Sequence, residues 1–433
     1  ARDRLNQGPE NSSRPPSSRV PWERASGGQP WGEDIKDSEP TVESADAKPA
    51  DAKDAKPKRK PGKQPGAPGI GRTQVFHAHE EQVHYPPVCA GCGHRLENTA
   101  AVAYTGFQAV DLHWADPANP GLTLWVVDHR FYEVACACGH RTRAEAGHGA
   151  VDPLLAGVEL SEWRLVGPGL AALLVALALR FRLSRARIQE FLDEWLGLKL
   201  SIGTIHQTIH EAGAAVAPAE EELVLAVLDS VLLHADETSW PEQGHLLWLW
   251  VFRSLTVTLY YLAGRGKELV ANVLDGFTGW LMTDGWMAYR DYPRRLRCWA
   301  HLIRKARGLA QSYDREARSF GHRVLSTFEA LIEAVYTARE GPPPVDLFIH
   351  HAPTLALLRT ACEQHQDSDH AKTRALGVEL LNDWDAIFQV VRHPQLPLTN
   401  NEAERALRHW VILRKLSLGT RTPTGSRVFA LLA

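Results

Sequence analysis

Two short apolar runs, each stopping at an aspartate, constrain this chain more than any other feature. Val231–Ala235 ends at Asp236, in Leu232-Leu233-His234-Ala235-Asp236-Glu237-Thr238, and Gly279–Thr283 ends at Asp284, in Thr283-Asp284-Gly285-Trp286. Both read as strands that finish on a carboxylate. Between them, Leu246–Arg253 and Leu255–Leu262 alternate and are rich in Trp, Val, Leu and Tyr, with Arg253-Ser254 as the predicted hairpin turn. Residues 266–275 can form a crossover helix, and Leu296-Arg297-Cys298-Trp299-Ala300 leads into a basic helix with His301, Arg304, Lys305 and Arg307. Strand, hairpin, helix, strand, helix is the order of a mixed α/β sheet.

That order predicts an RNase H-like core over 226–433, interrupted by a mainly helical insertion at about 308–392 that breaks at Gly341-Pro342-Pro343-Pro344. A third carboxylate, Glu404, opens a helix in Leu398-Thr399-Asn400-Asn401-Glu402-Ala403-Glu404-Arg405-Ala406-Leu407-Arg408. Each of the three has a structural explanation by itself. Asp236 and Asp284 suit strand-end turns, and Glu404, three after Asn401, suits the back half of a capping box. As a set they suit two hard cations about 3.5–4 Å apart on a phosphate substrate, with Mg²⁺ (or Mn²⁺) favoured by carboxylate oxygens. Arg304, Lys305, Arg405 and Arg408 on the same elements would meet the polyanion, beside His301. Trp240, Trp286 and Trp299 fall near the same point, where each serves either to stack on a base or to fill a core.

Upstream, Cys89-Ala90-Gly91-Cys92-Gly93-His94 and Cys136-Ala137-Cys138-Gly139-His140 form two close pairs among six cysteines. Four thiolates suit a closed tetrahedral structural Zn²⁺; free core cysteines are the rival reading, and His94 and His140 are alternative ligands. Leu122–Val127 and Arg130–Val134 read as strands between the pairs, so 71–150 is predicted to be a zinc-ribbon-like domain. Residues 1–70 are rich in Ser, Pro, Asp and Lys and end in the basic stretch Lys56–Gly66. Such a segment cannot bury a core, and reads as a solvated linker or a nonspecific arm along DNA phosphates. The net charge of −3 excludes a uniformly basic nucleic-acid binder but leaves room for local basic surfaces.

Residues 151–225 turn helical. Leu165–Leu179 is too short for the roughly 20-residue membrane span and contains Pro168, so a buried helix is expected. Ser184 caps a helix with Ile188, Phe191, Leu192 and Trp195 on one face, and Gly197 stops it. Ser201 caps the next, with Ile202, Ile205 and Ile209 inward and Gly203, Thr204, His206 and Gln207 outward. The pair fits either a helix-turn-helix, whose second helix enters a major groove, or an ordinary helical hairpin.

Asp-Glu-Thr at 236–238, Thr-Asp-Gly-Trp…Tyr at 283–289, Cys-Trp-Ala-His-Leu-Ile-Arg-Lys at 298–305 and Asn-Asn-Glu-Ala-Glu-Arg-Ala-Leu-Arg at 400–408, with the later Arg414-Lys415, occur in order. Together they resemble the insertion sequence 66 family of bacterial DDE transposases, over roughly 75–430. The resemblance implies an RNase H-like fold and a catalytic, metal-binding triad at Asp236, Asp284 and Glu404. It also implies an upstream zinc segment, a helix-turn-helix, and double-stranded DNA (transposon ends and target) as the partner. Arg414 and Lys415 join the DNA-contacting positions by the same pattern. The implied reaction is hydrolysis at transposon ends followed by attack of the 3′-hydroxyl on target DNA, by a homodimer or larger assembly, with accessory proteins encoded nearby. A cytoplasmic protein at the bacterial nucleoid is expected, with no membrane partner. The stretch between the cysteine pairs is longer than the family's compact form. The first residue, Ala1, reads as a processed or cut start, and the apolar end Val428–Ala433 as a truncated or decayed one. A rival function follows: a transposase-derived DNA-binding protein without catalysis, acting as repressor or accessory factor. A third is an RNase H-like nuclease that never joins strands.

Overall fold

A computed structural model describes residues 74–97, 100–113, 121–145, 155, 158, 166–341 and 345–433. The expected arm at 1–70 and the prolines at 342–344 lie outside them. The described chain from Phe76 onward belongs to one compact unit. It is a mixed α/β structure with two sheets and many helices.

The first sheet is built from β1 (Glu80–His84), β2 (Ala101–His113), β3 (Thr123–Ala135) and β4 (Arg141–Arg143), in the order β1-β3-β2 with β4 also on β3. The two strands expected at 122–134 are a single strand. Asp128 and His129 do not turn the chain because both are held in the sheet: Gln108 Nε2 donates to Asp128 Oδ1 at 2.8 Å, and His129 stacks between neighbours on Phe107. β2 carries no clean alternation and was not expected.

Helix α1 (Pro168–Val175) opens with proline at its first position, where the missing N–H is not needed. It continues into a π-turn, Ala176–Arg180, that buries Leu177, Ala178 and Leu179. The buried helix is therefore there, and among the described residues no helix is long and apolar enough to cross a membrane. α2 (Arg185–Leu196) and α3 (Ile202–Val216) are capped by Ser184 and Ser201, whose hydroxyls accept from Arg187 N and Thr204 N. Gly197 ends α2 in the left-handed region at φ 61°, which a side chain would strain. The inward faces are narrower than expected: Ile188, Leu192, Ile205 and Ile209 are buried, but Trp195 is 76% exposed and Ile202 47%. These two lie on the last and first turns, beyond the packed segment. α4 (Ala219–Leu228) then leads to the second sheet.

That sheet contains β5 (Leu232–Glu242), β6 (His245–Arg253), β7 (Thr258–Ala263), β8 (Trp280–Thr283) and β9 (Arg295–Arg297), ordered β7-β6-β5-β8-β9. β7, β6 and β5 are antiparallel; β5, β8 and β9 are parallel. β5 does not stop at Asp236. Its parallel pairing with β8 stops at His234, while its antiparallel pairing with β6 runs on to Glu242. Gln243 and Gly244, both at positive φ (49° and 87°), make the tight turn that the right-handed twist of a hairpin favours. The turn predicted at Arg253-Ser254 is instead the four-residue link 254–257, closed by Ser254 N donating to Val257 O at 2.8 Å. α5 (Lys267–Val273) is the crossover.

The insertion is helical as expected: α6 (Trp299–Ala310) follows β9, then α7 (Arg315–Glu340), the short α8 (Leu347–His350), α9 (Ala352–His365), α10 (Ala371–Asn382) and α11 (Trp384–Arg392). α12 (Asn401–Ser417) and α13 (Pro423–Leu432) return to the sheet. One core joins Val110 and Val126 of the first sheet, α1–α3, Leu249 and Val251 of β6, and Leu407, Trp410 and Phe429 of α12 and α13. The expected borders near 150 and 225 are thus crossed by shared packing. A second core packs Met282 and Leu296 against α6–α11, and a third packs Trp250 and Phe252 against α4 and α5. Burying each such leucine or valine contributes about 1.5–3 kcal/mol.

A charged joint fastens the insertion to β9. Arg295 Nη2 and Arg297 Nη1 both donate to the Asp383 carboxylate, the first at 2.5 Å, and Arg297 Nη2 donates to Glu379 Oε1 at 2.6 Å. Asp383 and Arg297 side chains are each 1% exposed. Two buried arginines whose Nη groups pair with two carboxylates, with the Nε of each left unpartnered, form a polar insert; either half alone would be far costlier to bury.

Candidate active site

The three carboxylates come to one place from three elements. Asp236 sits on β5 two residues beyond its parallel pairing, and its Oδ1 accepts from Glu237 N at 2.9 Å. Asp284 follows the last residue of β8, and its Oδ1 accepts from Trp286 N at 2.8 Å, an Asx-type turn. Glu404 lies in the first turns of α12.

Asn400 fixes where α12 begins. Completely buried, it donates from Nδ2 to Ala235 O at 2.8 Å, pairs its Oδ1 with His234 Nδ1 at 3.1 Å, and donates its own N–H to Cys298 Sγ at 3.2 Å. Trp299 N donates to Leu398 O at 2.9 Å across the same joint. The residue before Asp236, the start of α6 and the start of α12 are therefore tied together. The capping box does not form: Asn400, not Asn401, is the N-cap, its side chain is engaged with β5, and Glu404 Oε1 is buried without a hydrogen-bond partner.

Charge at this point is one-sided. Burial holds the Asp236 carboxyl well above the usual carboxylate range, reinforced by the negative charges of Asp284, Glu237 and Glu404. Glu237, whose side chain is 1% exposed, is also raised, by burial and by Asp284, against the opposing bonds from Arg265 and Tyr289. Arg265 Nη2 donates to Glu237 Oε1 at 2.8 Å while its guanidinium lies between Trp248 and Trp286, 3.9 and 3.6 Å from their ring centres. Tyr289 OH donates to Glu237 Oε2 at 2.9 Å. Burial lowers the His301 pKa, outweighing the pull of Asp284 and Glu404 in the other direction. No lysine or arginine among the described residues forms an ion pair with Asp236, Asp284 or Glu404. In its chemistry, such a set of carboxylate oxygens fits a divalent cation.

Among the described residues, two groups have ligand atoms all within 4.8 Å of one another: Cys89, Cys92, Cys136 and Cys138, and Cys298, His301 and Glu404. The three carboxylates together do not form a third such group. Ligands divided between two ions need not all lie that close.

The cysteine group can bind zinc. Cys89 and Cys138 sulfurs are 3.6 Å apart, as are those of Cys92 and Cys136. Burial would push the Cys89 thiol up, but amides of Cys92 and Gly91 and the Cys138 thiol hold it down to about 6. Cys92 is favoured as thiolate by the His94 amide, yet Cys138, Cys136 and Cys89 push it up to about 12. Four sulfurs this close cannot all ionise without a cation between them. His94 and His140 stand outside the group; their carbonyls close the turns, accepting from Cys89 N and Cys136 N at 2.8 Å each.

The basic positions divide. Arg408 and Lys415 are exposed, Arg405 is exposed beside Glu402 at 2.9 Å, and Arg304 is half-buried. Lys305 is paired within the protein, where Glu379 takes its ammonium at 2.6 and 2.8 Å. Arg414 is too: it donates to Thr238 Oγ1 at 2.9 Å and to the carbonyl of Ser239, so it clamps α12 to β5. On α3, Thr204 Oγ1 lies 2.9 Å from the capping Ser201 Oγ, His206 and Gln207 are exposed, and the His206 ring lies 4.1 Å from that of His210, tilted by 56°. Trp240 and Trp299 are each 1% exposed and fill cores.

The sequence reading passed over Glu237, Arg265, Tyr289 and Asn400. Glu237, Tyr289 and Asn400 stand inside the quoted motifs, where an acidic neighbour, a closing tyrosine and a first asparagine are the available signals. Arg265 had none, since its partners are distant in sequence.

The model of the family described as Transposase IS66 family matches residues 164–428, more than half of the chain and wholly beyond the cysteine segment. A curated protein from Sinorhizobium fredii (strain NBRC 101917 / NGR234), "Uncharacterized protein y4qI", is 23% identical over 270 residues, covering 55% of this chain and 50% of that protein. The chain thus spans about half the length of that relative.

Proposed function

The chain belongs to the transposase IS66 family, and from that premise we propose that it cuts DNA at transposon ends and joins the 3′-hydroxyl to target DNA. The observation that carries this is the convergence of the half-buried Asp236, Asp284 and Glu404 at a point where no lysine or arginine among the described residues pairs with them. We read the second sheet as RNase H-like. Its order puts the first strand, β5, centrally, with the antiparallel hairpin on one side and two parallel strands on the other. Aspartates beyond the ends of the parallel pairings of β5 and β8 then hold Mg²⁺ (or Mn²⁺) from a rigid sheet, and Glu404 completes the site from α12. When bound, the metal neutralises charge on the phosphate and activates the attacking oxygen.

In this reading Arg304, Arg405 and Arg408 meet the phosphates, and the exposed Lys415 extends the same basic surface. α2 and α3 form a helix-turn-helix with Gln207 and His206 toward the groove. The four-cysteine cluster holds a structural Zn²⁺, and two chains pair the two ends. The work is done in the bacterial cytoplasm.

The test is strand transfer by the purified chain on a labelled transposon-end duplex, with Mg²⁺ and with EDTA, beside Asp284→Asn. Joined product that requires metal and disappears in the variant is the expected result. Binding without cleavage under every metal condition would instead make the chain a catalytically inactive DNA-binding protein. Nicked DNA that is never joined would make it a nuclease.

A further inference from the structure

We propose that His301 is a metal ligand, so that the cation held by Glu404 takes an imidazole nitrogen and the site selects Mn²⁺ over Mg²⁺. This rests on reading Glu404 as a metal-binding carboxylate, and changes the role that the sequence suggested for His301, which was to position phosphate.

The geometry comes from two helix starts. His301 is the third residue of α6, and Glu404 the fourth of α12. The chain just before each helix is cross-tied by Trp299 N to Leu398 O at 2.9 Å and Asn400 N to Cys298 Sγ at 3.2 Å. The two side chains therefore face each other across a braced joint. His301 Nε2, the nitrogen we assign as ligand, is 3.9 Å from Glu404 Oε1. That is too long for a hydrogen bond. It leaves room for one cation between the two donor atoms.

The Glu404 oxygen facing Nε2, Oε1, is shielded from solvent and has no hydrogen-bond partner. Cys298 Sγ is within 4.8 Å of both groups, but it is fully buried and already accepts the Asn400 N–H. It braces the joint rather than ligating. A phosphate placed against His301 would sit against the Glu404 carboxylate, whereas a cation is attracted by both donors.

The choice of metal follows from the nitrogen. Mg²⁺ takes oxygen donors and retains its waters, while imidazole suits first-row transition ions. Replacing one oxygen position with nitrogen moves preference toward Mn²⁺.

Pulsed EPR of the full chain loaded with Mn²⁺ tests this directly, because a bound imidazole nitrogen modulates the electron spin echo. Zn²⁺ in the cysteine cluster is silent in this measurement. We expect nitrogen modulation in the wild type that is lost in His301→Gln. Mn²⁺ binding should weaken about tenfold or more in that variant, and Mg²⁺ binding should change less than about twofold. His301→Asn, with a melting curve for each variant, guards against simple misfolding. Mn²⁺ that binds and is weakened by Asp284→Asn, but shows no His301-dependent nitrogen modulation, overturns this inference and leaves the carboxylate site standing. Mn²⁺ binding that is insensitive to Asp284, Glu404 and His301 alike overturns both.

Discussion

Asp383, buried, and Asp236, half-buried, are carboxylates in the same unit, and their surroundings are opposite. Asp383 lies among Arg295, Arg297 and Arg290, so its pKa is held below the ordinary range although burial alone would raise it. Asp236 lies among Asp284, Glu237 and Glu404 and is pushed far up, first by burial and then by those charges. One carboxylate is surrounded by cations of the protein, the other by further carboxylates. Burial by itself does not distinguish a structural acid from a functional one. The sign of the neighbouring charge does.

The largest way to break the comparison is to empty the paired side. Asp383→Ala leaves Arg295 and Arg297 buried with only Glu379 between them, and is expected to cost about 3–5 kcal/mol of stability in urea unfolding. The same pair has a definite pH signature. A carboxylate whose folded pKa is depressed stabilises the protein above the unfolded value of about 3.9. That stability is lost as pH falls through the lower folded value. Unfolding curves taken downward from about pH 5 should therefore fall more steeply for the wild type than for Asp383→Asn. Equal slopes would show that the joint is not electrostatic.

The next effect concerns the brace behind the unpaired side. Asn400→Ala removes the donors and acceptor that reach Ala235 and His234. It should cost about 2–3 kcal/mol, because buried polar groups on both partners lose their bonds. A variant that unfolds like the wild type, with unchanged metal binding, would mean that Asn400 does not set the position of Glu404.

How much of this could be read from the sequence depended on range. Strand periodicity around Asp236 and Asp284, the serine caps at Ser184 and Ser201, and the cysteine pairs are local signals, and the structure has those elements. What escaped was set by partners far along the chain. β5 continues past Asp236 because β6 pairs with it, not because of its own composition. Lys305 and Arg414, expected to meet phosphates, also pair with Glu379 and Ser239, which are distant in sequence. The Asp383 joint was invisible for the same reason, and so was the tryptophan sandwich around Arg265.

The smallest expected effect is the most discriminating. Asp236→Asn keeps the shape of the side chain and its bond from Glu237 N, but removes a charge that its neighbours repel. In metal-free protein it should leave stability unchanged or raise it by up to about 1 kcal/mol, whereas most buried substitutions destabilise. Adding Mn²⁺ should reverse the order, since a cation that binds only the folded wild-type site stabilises it by mass action. Thermal melts of both proteins, with chelator and with metal, make the comparison. If Asp236→Asn destabilises the metal-free chain as Asp383→Asn does, Asp236 is a structural acid like Asp383. The contrast between the two sides of the molecule would then collapse.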